Sequence, residues 1–220
     1  MLASVSLVVE KVGRSLRRKG IRGTLDSCLE GIEDVWFDRR FGVQTLEAVT
    51  DRRLPAGPAG IAPTKIRRLR WILRELPVAY QDFVFVDLGS GKGRALLMAS
   101  EFPFQRIIGV ELLPELISVA QKNIHTYSST TQKCKNIDLI CCDAARYELP
   151  SEKLVLFLSN PFERSTVSRV LSTLTDSLQK NPRPVYIVYQ NPVCHDSVVG
   201  SGFAVLSMTR FYTIYTASSV

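Results

Sequence analysis

From residue 83 onward the sequence alternates short apolar runs with longer amphipathic spacers, and this alternation restricts the fold more than any other feature. FVFVDLG (83–89), RIIGVEL (106–112), IDLICCD (137–143), LVLFLSN (154–160) and PVYIVYQN (184–191) are nearly continuous apolar segments, the pattern of strands buried on both faces. The spacers 92–101, 114–126 and 163–180 are long enough to be helical crossovers between parallel neighbours. The stretch 144–153 is short and polar and reads as a crossing without a proper helix. FAVLSM (203–208) and FYTIYTA (211–217) are separated only by Thr209 and Arg210, too few residues for a crossover, so this pair must be an antiparallel hairpin. The expected fold is α/β: a doubly wound, mostly parallel sheet of seven strands, one of them reversed at the C-terminal end.

Ahead of this pattern the periodicity is helical. Leu2, Val5, Val8, Val9, Val12 and Leu16 recur at three- and four-residue steps and predict a helix over 2–19 that ends at Gly20. A second helical stretch, about 24–37, leads to Trp36 and Phe37, and PAGPAGIAP (55–63) reads as loop. Thr64 is placed to N-cap a helix with Ile66, Leu69, Ile72, Leu73 and Leu76 on one face, stopped by Pro77. The chain thus divides into an N-terminal helical extension, residues 1–59, and a domain, residues 60–220. The apolar face of the first helix needs a cover, which could be its own domain, a second subunit or a membrane surface.

Charge is divided unevenly. Residues 1–75 hold 15 Lys and Arg against 9 Asp and Glu, and residues 76–220 hold 13 against 12. The dense clusters are Arg14, Arg17, Arg18, Lys19 and Arg22, then Lys65, Arg67, Arg68, Arg70 and Arg74. Such clusters either meet phosphate, anionic lipid or an acidic protein, or form a solvated helix face. With 45% hydrophobic and 22% charged residues the composition excludes a disordered or collagenous chain. The apolar opening Met1–Val9 runs into Glu10 and Lys11, well short of the roughly 20 residues of a membrane span. Five cysteines form no CxxC pair, and only His125 and His195 could join them as ligands. The expectation is no metal, no disulfide and a reducing cytoplasmic location.

The strongest chemical signal is VDLGSGKGR, Val86 to Arg94, where a buried strand gives way to a helix. Glycines at 89, 91 and 93 let backbone approach a ligand, and a helix N-terminus offers unpaired N–H groups there. A dinucleotide site requires GxGxxG, but Arg94 stands at the third glycine's place. A carboxylate, Asp87, precedes the first glycine by two residues; it would repel pyrophosphate and attract an ammonium group. Glu111 closes the second strand, Asp143 the third, and Ser159-Asn160-Pro161-Phe162 the fourth, all at the strand ends where open α/β sheets bind ligands.

The segment Val86–Arg94 resembles motif I of the class I S-adenosylmethionine-dependent methyltransferases. With FDRRFGV (37–43), APTKIRRL (62–69) and the strands above, the chain looks like a group of small bacterial members of unassigned substrate. The resemblance covers about 180 residues and extends only weakly to residues 1–35. It implies a Rossmann-like fold, S-adenosyl-L-methionine as cofactor, and a binding set of Asp87, Gly89, Ser90, Gly91, Gly93, Glu111, Leu112, Asp143 and Ala144. In that set Glu111 would accept from the ribose hydroxyls in a bidentate manner and Asp143 from the adenine amino group. Pro63 and Thr64 lie in a segment that in related lysine methyltransferases closes over the cofactor.

SNPF is similar to the Asn-Pro-Pro-Tyr/Phe motif of amino-group methyltransferases, short of one proline. It points to Asn160, Pro161 and Phe162 as the catalytic group and to N-methylation of a protein amine, with O- or S-methylation and small-molecule or nucleic-acid acceptors left open. An NAD-dependent oxidoreductase is disfavoured by Asp87 and Arg94, and a non-catalytic binding module by the retained polar positions. Tyr186, Tyr189, Tyr212 and Tyr215 read as core or cross-strand residues. His125 reads as helix surface, and His195 follows the fifth strand, where a general base could reach the site.

Overall fold

A computed structural model describes residues 2–46, 63–159 and 162–217, with side chains from residue 20 onward. Seven strands, β1 (Phe83–Leu88), β2 (Arg106–Glu111), β3 (Ile137–Cys141), β4 (Lys153–Leu158), β5 (Val185–Gln190), β6 (Phe203–Met208) and β7 (Tyr212–Ala217), form one sheet in the order β3-β2-β1-β4-β5-β7-β6. The first five are parallel, and β7 lies antiparallel to both β5 and β6. The helices are α1 (Leu2–Phe41), α2 (Ile66–Arg74), α3 (Arg94–Ala99), α4 (Pro114–Thr126), α5 (Arg164–Lys180) and α6 (His195–Gly200). Residues 144–153 hold only a three-residue 3₁₀ turn, Ala144–Arg146.

Side chains alternate across each strand, so the sheet has two cores. Phe85, Phe157, Val188 and Ile214 meet α2 and α3 through Ile66, Leu69, Leu73 and Leu96. Val84, Val86, Leu156 and Ile187 meet α5 and α6 through Val167, Leu171, Leu174 and Val198. β1 and β4 are fully buried along most of their length, as their sequences predict. β3 departs from that expectation: it is the sheet's end strand, with Asp138 and Cys141 exposed, because nothing pairs with its far side.

The two N-terminal helices of the sequence reading form a single segment broken at Gly20, whose φ of 68° is outside the helical range. The expected loop at 55–63 falls outside the described residues except for Pro63. Thr64 is not an N-cap: α2 begins behind Lys65 without a side-chain cap, and the Thr64 hydroxyl instead donates to Ser159 Oγ at the end of β4, at 3.1 Å. That bond carries the segment before α2 to the rim where β1 and β4 end.

The basic cluster of α2 is divided: Arg67 and Arg74 are exposed, whereas Lys65, Arg68 and Arg70 are bound to acids. Arg68 donates twice to Glu30, at 2.7 and 2.6 Å, and Arg70 donates twice to Glu101 and once to Glu33. Lys65 meets Asp34 at 2.6 Å. Acids of α1 thus neutralise much of the charge that the sequence assigns to a phosphate, a lipid or a partner. Deepest in this network is Arg94, 4% exposed, whose guanidinium donates to Asp34 at 2.8 Å, Asp38 at 3.0 Å and Thr45 Oγ1 at 2.7 Å. Removing one member of a buried ion pair leaves an uncompensated charge. Arg94→Ala is expected to cost about 3–5 kcal/mol in denaturant unfolding, with faster amide exchange across residues 24–41; an unchanged midpoint would show that the pairs are dispensable.

Candidate active site

The strand register brings Asp87, the glycine turn, Glu111 and Asp143 to one rim. Leu88 lies beside Val110 and Leu158, and Glu111 beside Cys141. The backbone N–H groups of Gly89 and Ser90 both donate to the Val110 carbonyl, at 2.8 and 3.0 Å, and that of Cys142 donates to Glu111 at 3.0 Å. The glycine turn, Glu111 and the Cys142–Asp143 step therefore follow one another along the edge, at the point where strand order reverses between β1 and β4 and a crevice opens.

The turn is tight. Gly89, Gly91 and Gly93 have φ of 78°, 53° and 83°, a region costly for other residues. Gly93 also sits where a Cβ would come within 3.3 Å of Ala120 on α4. Gly109 on β2, which sequence reasoning passed over, is needed for space alone: a Cβ there would lie 2.5 Å from Leu96 and 2.9 Å from Ser90 Oγ. Two further residues missed in the sequence hold the turn from behind. Asn123, buried on α4, donates to the Lys92 carbonyl at 2.9 Å and accepts from the Gln44 N–H at 2.8 Å, and Arg94 anchors the helix start to α1. A polar residue on the α4 face otherwise occupied by Leu116 and Ala120 was the signal for the first.

Asp87 is buried, and among the described residues its only charged neighbour is another acid, Glu111. Burial first, and Glu111 second, push its carboxyl up to about 8. Glu111 is itself engaged: Oε2 accepts from the Gly91 N–H at 2.9 Å and Oε1 from Leu112 and Leu113 at 2.8 and 3.0 Å. Three of a carboxylate's roughly four acceptor sites are thus filled by backbone, so a bidentate grip on two hydroxyls needs the Gly91 amide to let go. Ser90 Oγ is buried without a hydrogen-bond partner.

Asp143 is half-buried rather than buried, and caps the 3₁₀ turn by accepting from Ala145 at 2.9 Å. Ala144 is buried in the core under α5, whereas Leu112 is 46% exposed beside Glu111. Phe162 is half-buried against the same core as Ala144; Asn160 and Pro161 lie outside the described residues. His195 is held by Tyr215, its Nδ1 at 2.8 Å from the phenol oxygen. Tyr189, Tyr212 and Tyr215 are buried, and His125 is exposed.

Residues 81–181 match the sequence model of a family described as putative methyltransferase. Over this stretch, less than half of the chain, the sequence resembles that family. The fold is shared with a predicted N6-adenine-specific DNA methylase from Listeria monocytogenes, 15% identical over 76% of this chain and 54% of that one at a TM-score of 0.53. It is shared also with a putative RNA methyltransferase from Pyrococcus horikoshii, 14% identical over 81% and 92% at 0.52, and with a pyocyanin biosynthetic protein, 15% identical over 68% and 54% at 0.50. The chain thus spans about half the length of two of these three. No curated protein matches the sequence.

The rim fits the charge of S-adenosylmethionine, the cofactor that the family resemblance implies: a buried carboxylate with no cation beside it among the described residues lies next to a turn of three positive-φ glycines. An ammonium group placed at Asp87 would be met best by the ionised carboxyl. Cofactor binding below pH 8 should therefore release a proton, and affinity should rise as pH climbs towards 8; calorimetry in buffers of different ionisation enthalpy reads this. Because the folded carboxyl titrates above its unfolded value, Asp87 subtracts stability as pH rises from about 4 to 8. Asp87→Asn should flatten that slope and abolish the proton release while weakening cofactor binding; an unaltered proton count in the variant would remove Asp87 from this role.

Proposed function

We propose that the chain transfers a methyl group from S-adenosylmethionine to a nitrogen of a protein amine, leaving S-adenosylhomocysteine. The observation that carries the cofactor half of this reading is Asp87, a buried carboxyl with no cation beside it among the described residues, next to the glycine turn. In the proposed arrangement Asp87 accepts from the ligand ammonium. Gly89, Ser90, Gly91 and Gly93 let backbone come close, and the second and third acceptors are Glu111 for the ribose and Asp143 for the adenine amino group. Leu112 and Ala144 flank them. When bound, the cofactor supplies an electrophilic methyl group on a sulfonium.

For the acceptor half, the Asn160 side-chain oxygen and the backbone carbonyl that follows it accept the hydrogens of the substrate nitrogen and leave its lone pair aimed at the methyl group. Phe162 walls the pocket and favours cationic species. Positioning rather than strong base catalysis drives the step. The hydrogen bond from Thr64 to Ser159 supports a place for the 63–64 segment over the same rim. Short spacers between the strands leave no inserted domain to enclose a small acceptor, which favours a macromolecular one.

One observation favours a second reading. A groove of about 560 Å³ between α1, α2 and the β6–β7 turn is lined by Arg67, Trp71, Arg74, Arg210 and Phe211, with Asp26 and Glu30 on its α1 side, and its cations and aromatics suit a nucleic-acid strand. Isotope-labelled cofactor with fractionated lysate separates the two: protease-sensitive label supports the protein amine, and nuclease-sensitive label replaces it with nucleic acid. Asn160→Ala should keep cofactor affinity while turnover falls about 100-fold; normal turnover would take Asn160 out of the reaction.

A further inference from the structure

α1 is inverted relative to an ordinary surface helix. The side turned towards α2 and α3 holds Thr24, Ser27, Glu30, Asp34 and Asp38, with Phe37 and Phe41 only at its end. The side turned to solvent holds Ile21, Leu25, Leu29, Ile32, Val35 and Trp36. Their three- and four-residue steps keep them within about a third of the helix circumference. Ile21 and Ile32 are 73% and 65% exposed. Single exposed apolar residues are ordinary, whereas a continuous stripe of this length marks a contact surface.

Charge on the same helix is sorted with the same sense. Of the acids between residues 20 and 41, Glu30, Glu33, Asp34 and Asp38 are bound to Lys65, Arg68, Arg70 or Arg94. Asp26 alone stays exposed, while Arg22, Arg39 and Arg40 are all exposed alongside the stripe, Arg40 over the ring of Trp36 at 5.2 Å. The sequence just upstream adds Arg14, Arg17, Arg18 and Lys19. An outward surface of apolar side chains edged by unneutralised cations is complementary to an anionic lipid surface.

The same sorting argues against a second copy. Pairing two stripes in parallel sets each arginine against itself, and pairing them antiparallel gives Arg22, Arg39 and Arg40 only Asp26 as an exposed acid among residues 20–41. Both arrangements oppose like charges. A nucleic acid would satisfy the arginines and leave the stripe in water. We infer that the outward face of α1 seats the protein on an anionic bilayer, with Ile21, Leu25, Leu29, Ile32 and Trp36 entering the headgroup boundary and Arg22, Arg39 and Arg40 meeting the anionic headgroups. This attachment does not depend on the identity of the methyl acceptor.

The test uses the full chain with vesicles of phosphatidylcholine alone or with about 30 mol % phosphatidylserine. Co-sedimentation should show binding to the anionic vesicles, weaker by about tenfold or more on neutral ones and at high salt. In a Trp71→Phe background the Trp36 emission should shift to the blue on binding. Leu29→Glu with Ile32→Glu should lower partitioning by about 100-fold, and Arg22→Glu with Arg39→Glu by about tenfold or more. Both pairs should leave the melting temperature and cofactor affinity unchanged, since these side chains face solvent. The inference is overturned if the chain ignores anionic vesicles, if the variant carrying Leu29→Glu and Ile32→Glu binds them as before, or if a concentration-dependent dimer is lost in that variant while vesicles are not bound.

Discussion

The buried guanidinium of Arg94 is the constraint on which the rest of the structure depends. It occupies the place where a dinucleotide-binding loop has its last glycine, and it is held by two carboxylates and a hydroxyl supplied from residues 34–45. The start of α3, and with it the glycine turn, is therefore positioned from two directions: by the sheet beneath, through the Val110 carbonyl, and by α1 above. Asp34 serves three donors, Lys65, the Ile66 amide and Arg94, so the entry of α2 and the entry of α3 share one acid. A boundary drawn at residues 59 and 60 separates two sequence patterns but would part this arginine from its counter-charges.

The electrostatics of the rim follow from what that network leaves out. Cations are abundant near α1 and α2, yet each one that is buried there is already bound. Asp87 and Glu111 face each other instead without compensation, and backbone amides satisfy only Glu111. Two acids kept close at a dry edge are unfavourable for the free protein and favourable for a ligand that brings positive charge. Local strain of this kind at a binding edge is tolerated because both cores beneath it are closely packed.

The parallel sheet was legible because strands covered on both faces must be apolar throughout, and β1, β2, β4 and β5 fall within one or two residues of their runs. Glycine spacing and the strand-end acids were legible for a related reason, since few other arrangements put such residues just after an apolar run. Thr64 was misread because a threonine after proline carries the signature of a cap, while its actual partner, Ser159, is 95 residues away. The ion pairs of Arg68 and Arg70 were not legible because their acids lie far off in the chain, and no local pattern announces a pair separated by 31 to 38 residues. Asp143 closes a run whose apolar pattern reads as a strand buried on both faces, whereas β3 is an edge. Asn123 and Gly109 matter only through contacts across the fold, which a linear pattern does not display.

The irregular register between β6 and β7 has a consequence for how the molecule behaves when crowded. β6 ends the sheet with Val205, Leu206 and Met208 turned outward, a row that a flat ribbon would offer to any neighbour as a template. The slip at Val205 and Ser207 interrupts the free backbone groups and twists the strand out of line. Growth of the sheet by accretion of further chains is thereby discouraged at the side where its side chains would most invite it.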